Sequence, residues 1–183
     1  MIGMDITELI LTDHHEQRRM FALLDDLRDA PTEQVKPVWE RLKVLLEVHA
    51  EAEEKLFYPK LLEVGQGAGS KDSPEGETGD ALHDHNEIRD AVAEVGKHRV
   101  GSGPWWDAVA EAREANSDHM GEEEREALAD FRRHASLQAR QDLALQFAVF
   151  EAEHFRGVEA EDHDPKQYVA EHGGDPAKAS DEG

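Results

Sequence analysis

Residues 45–59 read LLEVHAEAEEKLFYP, and the spacing His49-x-x-x-Glu53-Glu54 inside them governs how the rest of the chain is read. Residues four apart share one face of an α-helix, about 6 Å apart along its axis. His49 and Glu53 therefore point the same way, on a rod whose buried stripe is marked by Leu42, Leu45, Leu46 and Leu56. Residues 117–128, SDHMGEEEREAL, repeat the arrangement with His119, Glu123 and Glu124.

Each pair has an upstream companion. His14 lies 35 residues before His49, in DHHEQRRMFALLDDL, and His85 lies 34 before His119, in LHDHNEIRDAV. Both companions sit in the same local setting, Leu11, Asp13 and Glu16 around the first and Leu82, Asp84 and Glu87 around the second. An internal duplication accounts for this: two helical hairpins, each giving one His from its first helix and a His/Glu pair from its second. Phase selects the histidines. His14 falls in line with Ile10, Phe21 and Leu24, whereas His15 is turned away by about 100°. His85 is in phase with Ala81, Ile88, Val92 and Val95, and His83 points nearly opposite. Four imidazoles and two carboxylates are thus aimed at the interior. Burying them without partners costs several kcal/mol per group, and metal ions supply the compensating charge. Imidazole and carboxylate suit iron, zinc and manganese alike, so the donor set alone leaves the metal open.

Glycine and proline cut the chain into helices of about 4–28, 32–64, 79–98, 104–134 and 136–156, with no strand signal. The expected fold is all-α, an up-down four-helix bundle with an additional C-terminal helix. The bundle domain spans residues 1–156; residues 157–183 form an acidic tail expected to be largely irregular. GQGAGSKDSPEG, residues 65–76, reads as a mobile loop. The net charge of -22, from 42 acidic against 20 basic residues, argues against nucleic acid and anionic membranes as partners. With no cysteine, disulfides and thiolate metal sites are excluded. The N-terminal MIGMDITELI lacks the blocks of a signal peptide, so the expected location is cytoplasmic. The oligomeric state is left open.

At these motifs the chain resembles the hemerythrin-like proteins with an HHE cation-binding domain, in their bacterial branch with two His…His-x-x-x-Glu sets. The resemblance covers about residues 4–156. It implies a four-helix bundle holding a non-haem di-iron centre, two iron ions with an oxo or hydroxo bridge. Carried over by position, His14 and His49 bind one iron, His85 and His119 the other, and Glu53 and Glu123 bridge them. Two departures stand out. Oxygen-carrying hemerythrins have a second histidine one turn from the first on helix 3, where this chain has Ala81 and Arg89. Their last carboxylate is an Asp five residues after the final His; here Glu123 follows His119 by four. An open coordination position follows, and with it reaction with or binding of small oxygen species: peroxide decomposition, or O2 or NO binding. The alternative is an iron or redox sensor, or a metal-storage module, without turnover.

Asp13 and Asp84 either hold the outer ring N–H of a histidine on a neighbouring helix or face solvent. Arg18 and Arg89, duplicated four residues after His14 and His85, either cover the site and pair with a bridging Glu or a bound anionic oxygen species, or snorkel outward. Tyr58 lies off the ligand face by simple phase and is expected to be a packing residue. Trp105 is expected in the core with Trp106 turned away, and His98, His134, His154, His163 and His172 at the periphery.

Overall fold

The computed structural model describes residues 3–69 and 72–173. Four rods running up and down in turn make the bundle. The first is α1 (Ile6–Asp26). The second joins α2 (Thr32–Ala52), a π-helical turn (Glu53–Phe57) and α3 (Tyr58–Val64) without a break. The third is α4 (Pro74–Val95). The fourth is α5 (Gly103–Arg125) continued by α6 (Ala127–His134) after a kink at Glu126. α7 (Leu137–Glu153) lies across α1, α2 and the π-helical turn, and α8 (Pro165–His172) against α4. α7 is the additional helix, and it covers its own bundle.

The starts of these helices follow from local chemistry. Asp5, Ser73, Ser102, Ser136 and Asp164 each accept a backbone N–H of the first turn that they precede. Pro74, Pro104 and Pro165 occupy the first turns, where the missing N–H has no intrahelical partner to lose. α4 accordingly begins at Pro74, five residues before the start expected at Gly79. The loop ahead of it is anchored: Gln66 and Gly67 donate their N–H groups to the buried Asp130, and Ala68 donates to Glu77. Gly67 has φ of 89°, and a Cβ there would stand 2.1 Å from the Asp72 carbonyl oxygen. Ser70 and Lys71 of that loop lie outside the described residues.

Two apolar clusters fill the bundle, one at each end. Ile6, Ile10, Phe57, Leu61, Leu82, Leu128, Phe131 and Phe147 belong to the first. Met20, Phe21, Leu24, Trp39, Leu42, Val92 and Trp105 belong to the second. Trp106 corrects the expectation that it turns away: it is buried, with the Arg28 guanidinium stacked 5.0 Å over its ring. The tail also needs correcting. Residues 157–164 carry no regular structure, but Pro165–His172 is a helix because Asp164 caps it and Tyr168 buries its ring in the first cluster. Residues 174–183 of the tail lie outside the described residues.

Candidate metal centre

Between the two apolar clusters lies a polar layer. His14 of α1, His49 of α2, Glu53 of the π-helical turn, His85 of α4, and His119 and Glu123 of α5 meet there, each at most 3% exposed. All six residues singled out in the sequence are brought together. His14 Nε2 stands 3.2 Å from Glu123 Oε2, and His49 Nε2 stands 2.9 Å from Glu53 Oε1. On the other side His85 Nε2 is 3.2 Å from Glu53 Oε2 and 3.0 Å from His119 Nε2. Two groups of converging donors result, His14, His49, Glu53 and Glu123 in one and Glu53, His85 and His119 in the other. Glu53 belongs to both.

The outer nitrogen of every ring is held by a carboxylate. His14 Nδ1 donates to Glu124 (2.9 Å), His49 Nδ1 to Asp13 (3.2 Å), His85 Nδ1 to Glu54 (2.8 Å) and His119 Nδ1 to Asp84 (3.4 Å). In the neutral ring these bonds favour the proton on Nδ1, so that each Nε2 faces inward and offers its lone pair once a metal ion replaces any second proton. Two lone pairs 3.0 Å apart, at His85 and His119, repel unless a cation or a proton lies between them. Among the described residues His14 Nε2, His49 Nε2, both Glu53 oxygens and Glu123 Oε2 are buried and have no hydrogen-bond partner, although they crowd together. Atoms so placed converge on a shared point rather than on one another, and the donor set fits a pair of metal ions.

The model of the hemerythrin HHE cation binding domain matches residues 5–131, more than half of the chain. The chain belongs to the hemerythrin HHE family. No curated protein and no solved structure matches it.

Within this hemerythrin-family bundle the π-helical turn does local work. The Tyr58 N–H bonds to the Glu53 carbonyl, five residues back, directly before Pro59. A proline in a regular helix clashes with the carbonyl four residues earlier, and the extra residue of a π turn relieves that clash. The widened turn lets Glu53 and its neighbour Glu54 both face inward, 0% and 2% exposed. It also brings Tyr58 around, which simple phase had placed off the ligand face. Its hydroxyl donates to Glu123 Oε1 at 2.5 Å. Burial, with the charges of Glu123 and Glu53, pushes the phenol well above its ordinary value, so it stays protonated as a donor.

Arg18 and Arg89 follow neither expectation. Each binds the carboxylate behind a histidine, Arg18 to Glu124 and Arg89 to Glu54, both at 2.7 Å. Arg18 is half exposed and Arg89 almost wholly covered. The duplication thus extends outward: His14–Glu124–Arg18 matches His85–Glu54–Arg89. Glu54 and Glu124 had been seen only as the second letters of His-x-x-x-Glu-Glu. That repeated second Glu was the signal for them.

The electrostatics show a demand for positive charge. Desolvation lowers the His85 value, but Glu53 and Glu54 outweigh it and raise it to about 9. His49 is raised well above its usual range by Glu53 and Asp13, against the same desolvation. Burial pushes Glu53 up, but His49 and His85 take it well below the usual carboxylate range. Protons on the rings or metal ions in their place satisfy that demand, and metal binding releases those protons. A narrow cleft of about 10 Å³, room for about one water, reaches His119 and Glu123 between the exposed Asp80 and Glu122. No helix among the described residues is long and apolar enough to cross a membrane.

Proposed function

We propose that His14, His49, Glu53, His85, His119 and Glu123 hold a non-haem di-iron centre that receives small oxygen species: peroxide, O2 or NO. Family membership supports a cation, and the five buried, unpartnered donor atoms aimed at one another carry the assignment to these residues. In this reading Glu53, whose oxygens stand 2.9 Å from His49 and 3.2 Å from His85, and Glu123, whose Oε2 stands 3.2 Å from His14 and 4.0 Å from His119, would be the two carboxylates that serve both ions. When bound, an iron pair supplies redox equivalents and coordination positions that the protein leaves open.

The remaining roles belong to the chain. Asp13, Glu54, Asp84 and Glu124 fix the ring orientations and hold the Nδ1 proton, so that Nε2 is the nitrogen each ring presents to a metal ion. Tyr58 occupies Glu123 Oε1, which leaves Oε2 to face His14 and restrains the carboxylate from swinging. The narrow cleft beside His119, with room for about one water, is the approach to the layer that favours small molecules over large ones. Two apolar clusters above and below keep bulk water from the layer, which strengthens the electrostatic interactions inside it.

Metal analysis should find at least two irons per chain. The paired variant His49→Ala, His119→Ala should lose two of them, and full retention would refute the ligand set. With iron-loaded protein, oxygen evolved from hydrogen peroxide is the expected result. A reversible spectral change on O2 or NO without turnover would leave a binding module, and neither response would remove the oxygen chemistry altogether.

A further inference from the structure

We propose that the chain carries a third cation site, built by Glu51 and Glu54 of the second rod and His163 of the segment before α8, for a divalent transition-metal ion. Their donor atoms lie within 4.8 Å of one another. Glu54 Oε2 is 3.4 Å from His163 Nε2, about the distance between two donors on a tetrahedral ion with bonds of about 2.1 Å. None of the three belongs to the six residues of the main centre.

Two observations set this apart from an ordinary acidic patch. Glu51 is 7% exposed and Glu54 2% exposed, so both carboxylates have left bulk water. Each has one oxygen engaged and one without a hydrogen-bond partner among the described residues. Glu51 Oε1 pairs with Lys55 at 3.0 Å, and Glu54 Oε1 takes His85 Nδ1 and Arg89. Glu51 Oε2 and Glu54 Oε2 remain, and both residues line one cleft of about 610 Å³. Buried, unpartnered oxygens of two adjacent carboxylates repel, and an ion between them removes both penalties.

The third donor is held in place. Asn86, the residue after His85, donates its side-chain N–H to the His163 carbonyl at 2.8 Å and accepts the His163 N–H at 3.3 Å. Tyr168 of α8 donates its hydroxyl to the Glu54 carbonyl, with its ring 5.9 Å from that of His163. Glu159, Glu161, Asp162 and Glu171 line the same cleft and concentrate cations there. The duplication does not extend to this site: Gly121 stands where a second Glu51 is needed. One imidazole with two carboxylates suits Zn²⁺, Mn²⁺ or Fe²⁺ better than Mg²⁺ or Ca²⁺. An ion here shares the Glu54 carboxylate with His85, so the two sites are joined by one side chain.

Mn²⁺ titration of the full metal-free chain, with unbound ion counted by electron paramagnetic resonance, tests this. The wild type should bind one more Mn²⁺ than Glu51→Gln, which keeps shape, and than His163→Ala, with thermal unfolding to check that each variant folds. The His49→Ala, His119→Ala variant should keep that one ion, which makes failure of the main centre distinguishable from failure of this site. Unchanged stoichiometry and affinity in both Glu51→Gln and His163→Ala overturns the proposal. So does a wild type whose ions all vanish with His49 and His119.

Discussion

Asp13 and Asp84 each reach the outer nitrogen of a histidine on the adjacent rod, His49 and His119. Neither carboxylate faces an inward donor atom, so their effect is on ring orientation and basicity. If the six inner residues hold metal, Asp84→Ala should weaken binding by about 10–100-fold. Competition with a coloured chelator measures this, and the apo-protein should unfold within about 1 kcal/mol of wild type, since Asp84 is partly exposed. Tyr58 acts from the opposite side. Tyr58→Phe keeps the buried ring but strands Glu123 Oε1, and should lower apo-protein stability by about 1–3 kcal/mol in urea unfolding. Sequence could reveal Asp13 and Asp84 as candidates because they immediately precede the repeated histidines. It misplaced Tyr58, because a phase count assumes 3.6 residues per turn through a stretch where the helix widens.

At the scale of elements, the π-helical turn and the anchored loop decide what the rods can present. The turn lets two consecutive glutamates face inward, one toward the metal layer and one behind His85. The loop from Gly65 is fastened by Asp130 and Glu77, which lie side by side under it. Burial, with the Asp130 charge, raises Glu77 to about 7 despite the opposing Ala68 N–H. The unfolded chain ionises this group near 4.5. Between those values the folded chain holds a proton the unfolded chain has released, so stability falls as pH rises through the window and the loss is complete above it. Glu77→Gln should flatten that slope. The difference in unfolding free energy between about pH 5 and about pH 8 should shrink by about 1–2 kcal/mol relative to wild type. An unchanged difference would show that Glu77 ionises normally. The start of α4 at Pro74 and of α8 at Pro165 was legible, since Ser73-Pro74 and Asp164-Pro165 are both cap-then-proline pairs. The glycine-rich and acidic compositions around them masked the signal.

For the whole molecule, a polar layer of four imidazoles and two carboxylates separates two apolar clusters, and stability depends on what neutralises it. Stripping metal with a chelator should lower the unfolding midpoint. The loss should be about 2.7 kcal/mol per site for an ion present at about 100 times its dissociation constant. Calorimetry with and without the chelator measures it, and identical midpoints would mean that the layer is satisfied without ions. The sequence by itself determined the all-helical bundle, the duplication and the six inward residues. Those depend on periodicity along single helices, and a spacing of four fixes a shared face wherever the helix lies. Tertiary structure alone decided which carboxylate stands behind which ring, that Tyr58 reaches Glu123, and that His163 meets Glu54 across 109 residues. Such contacts depend on how rods cross, where a helix widens and where a tail returns. These are set by packing between distant segments, which no local spacing encodes.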